Sequence, residues 1–190
     1  DPPAREGGPI IPENVAEGLR RHLQASLGRT VHCVETHISW VLLDGEHAWK
    51  IKKPVRLGFL DFGSLAVRMH LCEEELRLNR RLAPELYLDV VPIRGSAARP
   101  SLDGDEPAIE YAVRMVQFPP GSLLSEMLAA GKLDGQHVDR LAMRVAAFHE
   151  AAPRALADSG HGSAAQIESA TARVLAALAH HDSDPRFGDV

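Results

Sequence analysis

Two neighbouring stretches, His47-Ala-Trp-Lys-Ile-Lys52 and Ser64-Leu-Ala-Val-Arg-Met-His-Leu-Cys-Glu-Glu-Glu-Leu-Arg-Leu-Asn79, decide how this chain folds. The first alternates with the period of a strand, so Lys50 and Lys52 share one sheet face and Trp49 and Ile51 the other. One face is cationic and one apolar. The second stretch reads as a helix that Ser64 can cap. Met69, Cys72, Leu76 and Ala83 form one stripe and Leu71, Leu78 and Leu82 an adjacent one, until Ala83-Pro84 ends it. Glu75 interrupts that apolar surface. A carboxylate facing a sheet needs a cation, because burying it alone is expensive. Glu73 and Glu74 lie further around and are expected in solvent.

Working outward, Val15, Leu19, Leu23 and Leu27 recur at four-residue spacing before Gly28, which marks a first helix with a glycine at its C-terminal end. Thr30 to Thr36, Ser39 to Leu43 and His47 to Lys53 read as three antiparallel strands, the last two joined at an Asp44-Gly45 turn. Pro54 to Gly63 is a loop whose Leu57, Phe59, Leu60 and Phe62 are expected to pack on the sheet. Leu86 to Ile93 and Ile109 to Val116 read as two more strands, with a polar loop at Gly95 to Pro107. Beyond Pro119-Pro120-Gly121 the periodicity is helical only, and Ser163-x-x-Gln166 has the form of a capping box. The fold class is therefore α+β: a five-stranded antiparallel lobe with one long helix, then a helical lobe. The expected division is a helical extension over 1–29, the sheet-bearing lobe over 30–118, and a hinge with a partial helical lobe over 119–190.

The 190 residues are 45% hydrophobic and 25% charged, which excludes disordered and collagenous classes. Acidic residues outnumber basic ones, 26 to 21, so nucleic acid is not an expected partner. Cys33 and Cys72 form no C-x-x-C pair, so neither a disulfide framework nor a zinc site is expected. No apolar run reaches the roughly 18 residues of a membrane span, and no signal peptide opens the chain. A cytoplasmic protein without a membrane partner is the expectation, and the chain reads as a piece of a longer one.

A strand lysine held by a helix glutamate is an arrangement that grips the α- and β-phosphates of ATP, although a purely structural salt bridge reads the same. His47-Ala-Trp-Lys50 can be laid on the kinase V-A-I-K strand. Lys50-Ile-Lys-Lys-Pro-Val55, Phe59-Leu-Asp-Phe62 and Cys72-Glu-Glu-Glu-Leu-Arg-Leu-Asn-Arg-Arg-Leu-Ala-Pro84 resemble the amino-terminal part of bacterial aminoglycoside phosphotransferase-like proteins that are fused to a P-loop ATP-binding domain. The resemblance runs from about Thr30 to Pro153. It implies a protein-kinase-like fold, ATP with Mg2+ as cofactor, and phosphoryl transfer to a small-molecule hydroxyl. Lys50 or Lys52 would be the phosphate lysine and Glu75 its partner. Met115 would flank adenine, and the backbone of Val116, Gln117 and Phe118 would be the adenine-binding hinge. His149 would be a structural helix-end histidine.

The turn Glu35-Thr-His-Ile-Ser39 has no glycine, so only backbone amides or the Thr36 and Ser39 hydroxyls could cradle phosphate there. Asp61-Phe62-Gly63 spells a kinase metal motif but precedes the glutamate helix, and reads as a coincidental loop. His161-Gly162-Ser163 lacks the Asp and Asn of a catalytic loop. No catalytic residue or magnesium ligand is therefore assigned in this chain, which is expected to be inactive alone. The P-loop string is also missing, so that partner is expected beyond Val190. His180-His181-Asp182 is a weak metal candidate beside a solvated helix end. Lys50, Lys52, Lys53 and Arg56 form one basic cluster suited to a phosphate ligand. The alternative is a non-catalytic binding or regulatory module with the same architecture.

Overall fold

The computed structural model describes residues 12–57, 60–156 and 158–181. The elements are α1 (Pro12–Leu27), β1 (His32–Glu35), β2 (Ser39–Leu43), β3 (His47–Lys52), β4 (Arg56–Leu57), β5 (Leu60–Asp61), α2 (Leu65–Asn79), β6 (Tyr87–Ser96), β7 (Arg99–Ser101), β8 (Glu110–Val116), α3 (Leu124–Ala129), α4 (Gly135–Ala151) and α5 (Ala164–His181). The described residues fall into two compact units, one holding those up to Arg56 with Asp61–Pro120, the other holding Leu57, Leu60 and those from Gly121.

The first unit is built on a six-stranded antiparallel sheet in the order β1-β2-β3-β8-β6-β7. The sequence implies five strands there. The sixth arises because the chain turns between Ser96 and Arg99, so that Arg99–Ser101 pairs back on Arg94–Ser96, with Gly95 at φ +76° opposite Pro100. The Pro54 to Gly63 loop also contains a small two-stranded sheet, β4 with β5. Phe62 from this loop is buried as expected, while Phe59 lies outside the described residues.

Trp40, Leu42, Trp49, Ile51, Ile93 and Ala112 form the sheet's contribution to the core, and Val15, Ala16, Leu19 and Leu23 of α1 complete it. Each Val, Leu or Ile among them contributes about 1.5–3 kcal/mol by leaving water. Helix α1 is thus integral to this unit. Gly18 has no Cβ, and one built there would lie 2.1 Å from the Ala97 carbonyl oxygen, so glycine permits the close approach of α1 to the β6–β7 turn. Gly28 ends α1 at φ +63°, with its amide donating to Gln24.

The β2–β3 turn differs from the expected Asp44-Gly45 pair. Gly45-Glu46 forms its centre, because the buried Asp44 carboxylate accepts from the Glu46 and His47 amides at 2.8 and 2.7 Å and from the Trp49 indole at 2.8 Å. Burial pushes the Asp44 carboxyl up, but these hydrogen bonds outweigh it and hold the pKa below the ordinary value.

Helix α2 starts at Ser64, whose Oγ accepts from the Val67 amide at 3.2 Å. Its sheet-facing side is not the expected wide apolar face. Leu78 and Leu82 are exposed, whereas Arg68 and Cys72 are buried and Glu75 is nearly so. These three recur at i, i+4 and i+7, one line along the helix. Arg68 is met by Glu110 of β8, which is fully buried: guanidinium nitrogens donate to its oxygens at 2.8–3.1 Å and to the Phe62 carbonyl at 2.9 Å. This bidentate pair ties α2, β8 and the end of the preceding loop together.

In the second unit, Asp134 Oδ1 accepts from the His137 amide at 3.0 Å to cap α4. Ser163 Oγ accepts from the Gln166 amide at 3.3 Å to start α5. The Gln166 side chain reaches Gly162 rather than closing a box on Ser163. No residue of α3 or α4 is buried, and Leu128, Leu141 and Met143 are exposed. Among the described residues no helix is long and apolar enough to cross a membrane.

Replacing Arg68 by Met leaves Glu110 buried without its cation, and is expected to lower stability by about 3–5 kcal/mol in urea unfolding at pH 7. Arg77→Met, which removes an exposed pair with Glu74, is expected to leave the unfolding midpoint nearly unchanged.

Candidate functional site

The strand register arranges the face that carries Lys50. Val34, Val41, Lys50, Val113 and Val90 lie opposite one another across five strands, and His32, Leu43, Ala48, Met115 and Tyr87 form the adjacent row. Residues two apart on a strand share a side, so both rows and Lys52 face away from the core side of Trp49 and Ile51. Helix α2 packs on β6 and β8 and brings Glu75 to both lysines.

Lys50 Nζ donates to Glu75 Oε1 at 2.7 Å and Lys52 Nζ to Oε2 at 2.6 Å. Each lysine has its own carboxylate oxygen. The side chains differ in exposure: 26% for Lys50, 7% for Lys52 and 12% for Glu75. Lys52 Nζ also sits 5.3 Å from the centroid of the Phe62 ring, a cation–π contact that helps hold it inside. Asn79 fixes the helix locally by donating to the Glu75 carbonyl at 2.8 Å.

Burial pushes the Glu75 carboxyl up, but the hydrogen bonds from Lys50 and Lys52 and the charges behind them prevail, leaving its pKa below the ordinary glutamate value. Glu75 is the one carboxylate within ion-pair distance of either lysine among the described residues. Nearby carboxylates are committed elsewhere: Glu110 to Arg68, Asp89 to Arg114, Glu35 to Lys53 and Glu74 to Arg77. Two ammonium groups therefore meet one carboxylate. The cluster keeps one positive charge in excess on a partly apolar face, which suits an anion.

The surrounding groups do not supply a nucleophile. Burial pushes the Cys72 thiol up to about 11, with Lys52 opposing and Glu75 and Glu110 adding to the shift, so it is protonated at neutral pH. Burial and then the Glu75 charge likewise raise the Tyr87 phenol.

Of the residues expected to hold adenine, Met115 is half-buried in the row with Ala48, whereas Val116 and Phe118 are exposed. Two hinge amides are already engaged: Val116 N–H donates to the Leu86 carbonyl at 2.8 Å and Gln117 N–H to Glu46 at 2.9 Å. The Gln117 side chain also accepts from the Gly45 amide at 2.9 Å, so it braces the β2–β3 turn, a role sequence reasoning missed. The turn before β2 is closed on itself. Thr36 Oγ1 accepts from the Ile38 and Ser39 amides at 3.3 and 2.9 Å and lies 2.9 Å from Ser39 Oγ. The donors proposed to replace a glycine-rich cradle are thus spent on the turn itself.

The expected four-residue basic cluster divides. Lys53 pairs with Glu35 and lies over the Trp40 ring, and Arg56 pairs with Asp61 at 3.3 Å. Lys50 and Lys52 alone converge. Asp61 also accepts from the Gly63 amide at 2.7 Å, which occupies the kinase-like Asp-Phe-Gly string in its own turn. His149 is exposed in the last turn of α4, with its ring 6.0 Å from that of Phe148. Asp182 lies outside the described residues. Sequence reasoning missed Phe62 as a lid on Lys52, and also Arg68; the seven-residue spacing of Arg68 and Glu75 on α2 was the available signal.

The chain is similar to uncharacterized proteins of Mycobacterium bovis and of two strains of Mycobacterium tuberculosis, each 32% identical over 156 residues, 82% of this chain and 30% of the relative. It therefore spans about 30% of the length of these curated relatives. No protein-family model matches it, and no solved structure matches it.

Because the folded-state pKa of Glu75 is lowered, its contribution is complete above the unfolded value of about 4.3 and is lost as pH falls through the folded one. Glu75→Gln is expected to cost on the order of 2 kcal/mol at pH 7, with the difference from the unsubstituted chain shrinking below about pH 4. Urea unfolding of both proteins across pH 3–7 (about four units) checks this.

Proposed function

We propose that this chain is the ATP-binding part of a kinase-like phosphotransferase acting on a small-molecule hydroxyl, with residues 30–118 as its nucleotide-binding lobe. The observation that carries this reading is the meeting of Lys50, Lys52 and Glu75 on one sheet face with a net positive charge. A strand ammonium held by a helix carboxylate is suited to the α- and β-phosphates, because the carboxylate orients the cation and the cation offsets phosphate charge. Ala48 and Met115 lie in the register row next to Lys50, an apolar surface of the kind an adenine ring stacks on.

The chemistry that ATP would supply is the transferred phosphoryl group. This chain's own part would be to bind and orient the triphosphate. No residue is assigned as catalytic base or magnesium ligand, and activity is proposed only for a longer protein. With the Val116 and Gln117 amides engaged in the sheet, adenine recognition would draw on Phe118 and on backbone carbonyls. A fused P-loop domain is proposed as the partner, in keeping with relatives of which this chain spans about 30%.

One observation favours a second reading, a non-catalytic binding or regulatory module: the turn before β2 keeps its amides and hydroxyls for itself. Nucleotide binding separates the two. A non-hydrolysable ATP analogue is expected to bind the chain in calorimetry, and Lys50→Ala with Lys52→Ala is expected to abolish it. Unchanged binding after both substitutions would reject the site, and no binding to the unsubstituted chain would favour the module.

A further inference from the structure

We propose that the two lysines divide their work: Lys52 is the lasting counter-ion of Glu75, and Lys50 is the ammonium given up to an anionic ligand, a triphosphate on the reading above, on which this inference rests. Three observations carry it. The first is the separate oxygens, since Lys50 holds Oε1 and Lys52 holds Oε2. Lys50 can leave without disturbing the other bond.

The second is burial. Lys52 is 7% exposed and has the Phe62 ring against its ammonium, whereas Lys50 is 26% exposed. A cation buried between an aromatic ring and a carboxylate is less accessible to a ligand than the more exposed Lys50. Lys50 stands between Val41 and Val113 in its row, beside the row that holds Ala48 and Met115.

The third is charge. With one lysine, drawing the ammonium towards phosphate would leave a buried carboxylate facing the incoming anion, two like charges in a poorly solvated place. Lys52 removes that conflict. It neutralises Glu75 whether or not Lys50 is engaged, and makes Lys50 the carrier of the surplus positive charge. Lys52 is therefore a positioning residue, acting through Glu75 rather than on the ligand.

Lysine side-chain 15Nζ resonances of the full chain, assigned with Lys50→Met and Lys52→Met, test this during titration with magnesium-free ATP and separately with inorganic tripolyphosphate. The Lys50 resonance is expected to move with ligand and that of Lys52 to stay. Lys50→Met is expected to remain folded and to weaken binding by about tenfold to a hundredfold, while Lys52→Met lowers the melting temperature. If Lys52→Met does not fold, the unsubstituted chain still decides, because Lys50→Met and Lys53→Met assign the resonances of the other two paired lysines and leave that of Lys52 by elimination. Movement of the Lys52 signal, or binding retained by Lys50→Met, overturns the division. Tripolyphosphate binding without ATP binding overturns the nucleotide reading and leaves the division standing; binding of neither overturns both.

Discussion

A carboxylate tucked under a helix is tolerable only where a counter-charge and hydrogen bonds compensate it, and Glu75 meets that condition with two lysines from one strand. Several features of the first unit follow from this requirement. Lys50 and Lys52 must be two residues apart so that both point the same way, which requires a regular strand at β3. The partner helix must lie on that face and no other. The opposite face is left to Trp49, Ile51 and the apolar residues of α1. The sheet is therefore covered on its two sides by different physics, hydrophobic burial on one and compensated charge on the other.

Helix α2 extends the same logic along its length. Arg68 and Glu75 occupy the line that would ordinarily be leucine, and each has its counter-charge on the sheet, Glu110 of β8 and the two lysines of β3. Such pairs contribute less net stability than well-packed apolar residues of similar size, yet they tolerate only one docking of the helix, because any shift leaves a buried charge alone. Phe62 connects the two sites: its carbonyl accepts from Arg68 and its ring lies against Lys52. The loop before α2 is thus part of the charged layer.

Much of this layer was legible in the chain. The alternation at His47 to Lys52 placed the lysines, and the acidic break in the α2 pattern placed Glu75. The apolar stripe of α2 was right at Cys72, which is buried, and misled at Leu78 and Leu82, which are exposed while Arg68 turns inward; helical period says which residues share a line but not which line docks. The β7 strand was hidden in a polar segment, where three residues including Pro100 pair through the backbone rather than by side-chain pattern. Gln117 and Thr36 were unreadable for a related reason. Their roles are hydrogen bonds to backbone groups of particular turns, which no spacing rule encodes.

Glu75 is ionised and shared between two ammonium groups. A 13C titration of its side-chain carboxyl measures this without reference to any ligand. The midpoint is expected below the ordinary glutamate value of about 4.3, with the shift diminished when either lysine is replaced. A midpoint at or above that value would contradict it.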